Sequence, residues 1–176
     1  MNYATIKTND IANGVGVRTS LFVSGCRNHC PGCFNKDTWD FNYGECFNLE
    51  TIKYILDTLK PQYIEGLTIL GGEPFEPENQ KDVLLLIKKF KEIYPTKSLW
   101  IYSGYILDKD ILPYDGKAHT IYTKEILENT DILVDGPFKI DLYKITLNFR
   151  GSSNQRIINV KQTLDSNKII LSELNN

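Results

Sequence analysis

At 176 residues, 41% hydrophobic and 24% charged, the chain has the make-up of an ordinary globular protein and the size of one domain with a real core. A formal charge of -2 offers no electrostatic footing for nucleic acid or an anionic membrane, and no apolar run approaches the length that spans a bilayer. Residues 1–7 lack the basic and apolar blocks of a signal peptide, and four cysteines, three of them in one loop, suit a reducing cytoplasm better than a disulfide framework.

The first feature in chain order is Asn13-Gly14-Val15-Gly16-Val17-Arg18. No helix start follows the two glycines, so they read as turn residues rather than as a phosphate cradle. Residues 19–24, with Leu21, Phe22 and Val23, predict a short buried strand. That strand delivers Cys26-Arg27-Asn28-His29-Cys30-Pro31-Gly32-Cys33, three cysteines within eight residues. The spacing leaves three readings open. An iron–sulfur cubane ordinarily takes four thiolates, so three from one loop would leave one iron open to chemistry. Structural zinc wants four N or S ligands, with His29 or Cys46 as the fourth. His29 adjoins Cys30, however, and neighbouring residues strain to reach one ion. A disulfide would leave one thiol of the loop over.

Asn48 predicts the cap of a helix over residues 48–60, with Leu49, Ile52, Ile55, Leu56 and Leu59 on one face and Pro61 as its stop. Residues 66–70 predict a strand ending in Gly71-Gly72-Glu73-Pro74, either a plain strand-to-helix turn or a place where backbone meets a ligand. A helix over residues 78–94 follows, then a strand over 99–102 ending at Ser103-Gly104. A helical segment near 123–129 leads to a strand over 132–134 that ends at Asp135-Gly136-Pro137. Residues 145–149 are a further strand candidate and residues 156–160 a weaker one, while residues 164–176 suit helix and strand equally. Alternating strands and helices predict an α/β fold with a parallel sheet and right-handed crossovers. Five to six such units are too few for a closed eight-stranded barrel, so the expected architecture is an incomplete, open-sided (β/α) barrel of five to six parallel strands.

The Cys26-x3-Cys30-x2-Cys33 loop resembles that of the radical S-adenosylmethionine (SAM) enzymes. Asn13 to Arg18, the Gly71-Gly72-Glu73-Pro74 turn, Asp135-Gly136-Pro137-Phe138 and the polar run from Arg150 to Arg156 narrow the likeness. Together they resemble the activating enzymes of anaerobic ribonucleoside-triphosphate reductase, over residues 10–160, and the same likeness implies the open barrel. It further implies a 4Fe-4S cluster on Cys26, Cys30 and Cys33, with SAM chelating the open iron. Gly72 and Pro74 would then meet the SAM ammonium, with Glu73 shaping their loop. Gly32 and Phe34 flank Cys33 and would meet the adenine, though Phe34 reads equally well as core. Many radical SAM enzymes carry an aromatic where Gly32 stands; a glycine there looks like the activase subfamily. Ser103 and Asp135 end neighbouring strands and suit either a turn or the SAM amine and ribose hydroxyls. Arg150, ahead of Arg156, would face SAM or the partner's backbone, whereas Arg18 marks the glycine approach without a derivable role.

The implied activity is reductive SAM cleavage followed by generation of a glycyl radical on a glycine-bearing loop of the reductase large subunit. No side chain is catalytic beyond the cluster and SAM. An external one-electron donor such as flavodoxin would serve it, in the cytoplasm, with neither nucleic acid nor membrane as partner. Alternatives are the activase of another glycyl radical enzyme of the pyruvate formate-lyase type, a deazapurine-biosynthesis radical SAM enzyme, and a non-catalytic zinc-stabilised module. His29, His119 and Cys46 have no motif around them.

Overall fold

The computed structural model describes residues 1–175. Its strands are β1 (Asn2–Asp10), β2 (Val17–Val23), β3 (Glu45–Cys46), β4 (Ile64–Gly71), β5 (Ser98–Tyr102), β6 (Ile132–Asp135) and β7 (Arg156–Asn159). They form one sheet in the order β3-β1-β2-β4-β5-β6-β7. Four helices accompany it: α1 (Leu49–Thr58), α2 (Pro77–Ile93), α3 (Thr123–Glu128) and α4 (Val160–Ser166).

This is a mixed sheet, not the parallel, open-sided (β/α) barrel that the alternation predicts. Only β2, β4, β5 and β6 run parallel. The pairs β1–β2, β1–β3 and β6–β7 are antiparallel. Two causes combine. Nine-residue β1, with only Tyr3, Ala4 and Ile6 as apolar positions, shows no alternation to announce it, yet it folds back on β2. The chain after β6 returns as antiparallel β7 without an α-helix between them. Residues 145–149 are turns rather than a strand; Ile145 is 86% exposed and Phe149 has φ +53°. Their apolar content belongs to a covering loop, in which Phe149 meets Trp100 edge-on at 5.4 Å. Of the segment that suited helix and strand equally, α4 takes the start. The remainder lies beside β7, with Asn159 N donating to Ile170 O at 2.9 Å. Asn176 lies outside the described residues.

Helix starts follow local chemistry. Asn48 Oδ1 accepts from Glu50 N at 2.9 Å and Thr51 N at 3.0 Å, capping α1. Pro77 opens α2, where its missing N–H has no intrahelical partner to lose. All four helices cover one face of the sheet, where Leu21, Val23, Leu67, Ile69, Leu99, Ile101, Leu133 and Ile158 join them in one apolar cluster. The opposite face carries a smaller cluster of Trp100, Val134 and Ile157.

Arg18 is fully buried on that second face. It donates to Thr68 Oγ1 (2.7 Å), Leu67 O (2.9 Å), Ser98 O (3.0 Å), Ser98 Oγ (2.9 Å) and Val15 O (3.1 Å). Thr68 Oγ1 in turn donates to Asn13 O at 2.8 Å, and Asp10 accepts from Ala12 N at 2.9 Å. The arginine therefore binds strands β2, β4 and β5 to the glycine-bearing loop that crosses the sheet face. Burial lowers its pKa to about 10, against the opposing pull of the Asp131, Glu65 and Asp10 charges.

Candidate functional site

The four parallel strands end at one edge of the sheet, and the loops that follow them enclose a cavity of about 370 Å³. Cys26, Cys30 and Cys33 line it, all three as free thiols, with Cys26 buried and the others half-buried. Cys33 N donates to Cys30 O at 3.1 Å, closing a turn around Gly32. Gly32 has φ +74°, and a Cβ there would lie 2.6 Å from Ile140 Cδ1. Gly32 therefore shapes the turn and does not line the cavity. The loop is anchored by Gly25 N to Thr38 O (2.8 Å) and Cys26 N to Trp39 O (3.2 Å). Burial, then the charge of Glu73, pushes the Cys26 thiol up to about 12, and burial raises Cys30 as well.

Among the described residues, no three His, Cys, Asp or Glu side chains gather as ligands of a single ion. Zinc needs four such donors around one point, whereas a cubane takes its thiolates on different irons. The donor set of three soft thiols in one loop fits an iron–sulfur cluster. Trp39 also lines the cavity, while its indole N–H is shielded from solvent and has no acceptor. Cys46 is exposed on β3 and lines no part of the cavity.

Glu73 is the junction of the site. It is fully buried and accepts from Phe75 N (2.9 Å), Ser103 Oγ (2.8 Å), Gly104 N (2.7 Å) and Asn28 Nδ2 (3.2 Å). One carboxylate thus joins the cysteine loop to the ends of β4 and β5. Burial, with no cation beside it, raises its pKa to about 7. Ser103 is occupied in holding Glu73, although it lines the cavity. Gly72 also lines the cavity, but its missing side chain answers to internal packing. A Cβ there would meet Gly25 O at 2.7 Å, Thr38 O at 2.9 Å and Val23 O at 3.0 Å. Pro74 is buried in the turn behind.

The structure gives Asp135 and Arg150 other occupations. The buried Asp135 carboxylate accepts from Arg156 Nε (2.8 Å) and Leu107 N (2.7 Å), and pairs with Arg156 Nη2. It is absent from the cavity wall. Arg150 does line the cavity, and its guanidinium donates to Gln155 O and to Asn175 Oδ1 and O, each at 2.8 Å. Phe34 is not core: it is 71% exposed at the cavity mouth, 5.2 Å from Phe138 and 5.9 Å from Tyr143 between ring centroids. His29 stacks on Trp39 at 4.6 Å, and His119 Nδ1 lies 2.9 Å from Ile111 O. Residues that sequence reasoning passed over are Asn28, Trp39 and Tyr102. Only Tyr102 carried a signal, as the last residue of a strand whose loop lines the site.

These loops define an iron–sulfur protein, and comparison agrees: the family described as a 4Fe-4S single cluster domain matches residues 12–158. Among curated proteins, the anaerobic ribonucleoside-triphosphate reductase-activating protein of Pasteurella multocida is 40% identical over 164 residues, covering 92% of this chain and 99% of that protein. The protein of the same name from Escherichia coli K12 is 38% identical over 88% of this chain and 96% of its own length. That of Enterobacteria phage T4 is 36% identical over 89% and 93%. The chain belongs to the family of anaerobic ribonucleoside-triphosphate reductase-activating proteins.

Proposed function

We propose that this protein is a radical SAM activase that generates a glycyl radical on the large subunit of anaerobic ribonucleoside-triphosphate reductase. One observation carries the reading: three free thiols of one loop share a cavity wall with Gly72, Glu73 and Ser103, from the loops after neighbouring parallel strands. Cys26, Cys30 and Cys33 would hold the 4Fe-4S cluster. Such a cluster would supply the one electron for reductive cleavage of SAM, the chemistry by which a hydrogen atom would be taken from glycine.

The chain's own residues bind, orient and exclude water. Glu73 is a buried carboxylate without a cationic partner on the cavity wall, a place for the positive groups of SAM. Ser103, Asn28 and the Gly104 N–H fix its orientation. Gly72 positions the β4 loop against the carbonyls of Gly25 and Thr38, so the SAM side and the cluster side of the cavity are held in register. The loop after β6 roofs the cavity with Phe138, Leu147 and Phe149. Among the described residues, no helix is long and apolar enough to cross a membrane. An external electron donor such as flavodoxin, in the reducing cytoplasm, completes the reading.

Metal analysis after anaerobic reconstitution tests it. We expect about four irons with sulfide per chain. Cys26→Ala, Cys30→Ala or Cys33→Ala should each abolish SAM cleavage, and Cys46→Ala should leave it intact. One zinc without sulfide, or Cys46→Ala as damaging as Cys30→Ala, would overturn the assignment.

A further inference from the structure

The loop that follows β6 presents apolar side chains both inward and outward. Phe138, Leu147 and Phe149 line the cavity. Between them the loop exposes Ile140, Leu142, Tyr143 and Ile145, the last of them 86% exposed. No other six-residue stretch of the described residues exposes more than two large hydrophobic side chains. The outward group stands on a hydrogen-bonded backbone: Tyr143 forms an antiparallel bridge with Ser152, and Ser153 N donates to Leu142 O at 3.0 Å. It is also continuous with the cavity mouth. The exposed Phe34 ring, which lines the cavity, lies 5.2 Å from Phe138 and 5.9 Å from Tyr143. Ile140 sits over the cysteine loop at Gly32. Gly151 leaves room for the rings, since a Cβ there would lie 3.0 Å from Phe138 and 3.5 Å from Phe34.

Exposed apolar side chains gathered in one place mark a surface that another molecule covers. A second copy seated rim to rim would close both cavities against their substrate. A formal charge of -2 gives an anionic bilayer no attraction. A polypeptide whose glycine enters the cavity, by contrast, must carry its neighbouring residues across this mouth. We infer that the apolar rim from Phe34 across Tyr143 to Ile145 is the docking surface for the reductase, covered by apolar side chains that adjoin its glycine-bearing segment. The inference rests on the activase reading and adds to it where the protein substrate is held outside the cavity. Apolar burial at the rim supplies affinity without drawing on the polar groups inside.

Ile145→Glu places a charge on the patch at a side chain with little to lose in the fold. Ile121→Glu is its control, at a residue 88% exposed that lines no part of the cavity. Both are compared with wild type after anaerobic reconstitution. Affinity for purified reductase, titrated without reductant, should fall at least about 10-fold for Ile145→Glu, because the new carboxylate meets apolar groups without a partner. Ile145→Leu, which keeps the apolar surface, and Ile121→Glu should both stay within about twofold. Iron content and SAM affinity should match wild type throughout, with unfolding midpoints within about 2 °C. Unchanged reductase affinity in Ile145→Glu would overturn the inference, whether a loss then appears in self-association or in reduction by flavodoxin. An equal loss in Ile121→Glu would show a general effect of charge and overturn it too. Weaker SAM binding, lower iron content or a marked fall in the midpoint for Ile145→Glu would give the side chain another role and do the same. A wild-type protein that binds reductase through this rim but never cleaves SAM would sink the activase reading alone. One that cleaves SAM but binds no reductase would sink the docking surface.

Discussion

The two faces of the sheet divide the work of the molecule. In β4, Leu67 and Ile69 point into the helix-covered core while Thr68 and Leu70 point the other way; in β5, Leu99 and Ile101 oppose Trp100 and Tyr102. The helical face is apolar and closed by four helices. The other face carries Arg18, Thr68 and Tyr102, is covered by loops, and holds the cavity. The period-2 alternation of the same strands thus places stability on one side and chemistry on the other.

Three substitutions sharpen or break that division. The largest effect belongs to Phe90→Ala on α2, fully buried on the helical face, which should lose about 3–5 kcal/mol in urea unfolding. A loss below about 1 kcal/mol would mean that the helical face is not the source of stability. Next comes Gly72→Ala, on the cavity side. Three carbonyls lie within 3.0 Å of the added Cβ, so overpacking should cost about 1–3 kcal/mol. Because two of them belong to Gly25 and Thr38, which anchor the cysteine loop, iron content should fall together with SAM affinity. Full iron loading with weaker SAM binding would instead return Gly72 to a purely ligand-facing role. The smallest effect on stability is Phe34→Ala at the exposed mouth, within about 0.5 kcal/mol. Activation of the reductase should still drop, and unchanged activation would remove the mouth from the binding surface.

The elements facing the helices were the most legible in the sequence. The Asn48 cap, the stop at Pro61, the strands ending in Gly71, Ser103 and Asp135, and β7 stand where period and punctuation place them. Polar β1 was not legible, because its residues are mostly exposed or half-buried and its order comes from pairing with β2. That omission, with the antiparallel return of β7, turned a mixed sheet into an expected barrel. At the site, the three cysteines carried their own signal through spacing. The roles of Asp135 and Arg150 did not, since an ion pair across 21 residues and a guanidinium bound to Asn175 depend on tertiary contact. Likewise, the buried state of Arg18 follows from Thr68 and Ser98, 50 and 80 residues away.

The antiparallel outer strands also govern how the sheet meets other chains. Beyond β7 the segment around Ile170 to Ser172 already occupies the edge, with Ser172 N donating to Ile157 O at 2.8 Å and Ile170 O accepting from Asn159 N. At the opposite side β3 pairs with only Asn2 and Tyr3, leaving the later part of β1 without a neighbour there. That open stretch carries Lys7 and is interrupted by register shifts between Tyr3 and Thr5 and between Lys7 and Asp10. A charged, bulged edge is a poor template for an added strand. Self-association into stacked sheets is thereby discouraged, and an extended polypeptide gains little by pairing along the margin. A visiting chain is left the loop-covered face, where the cavity opens.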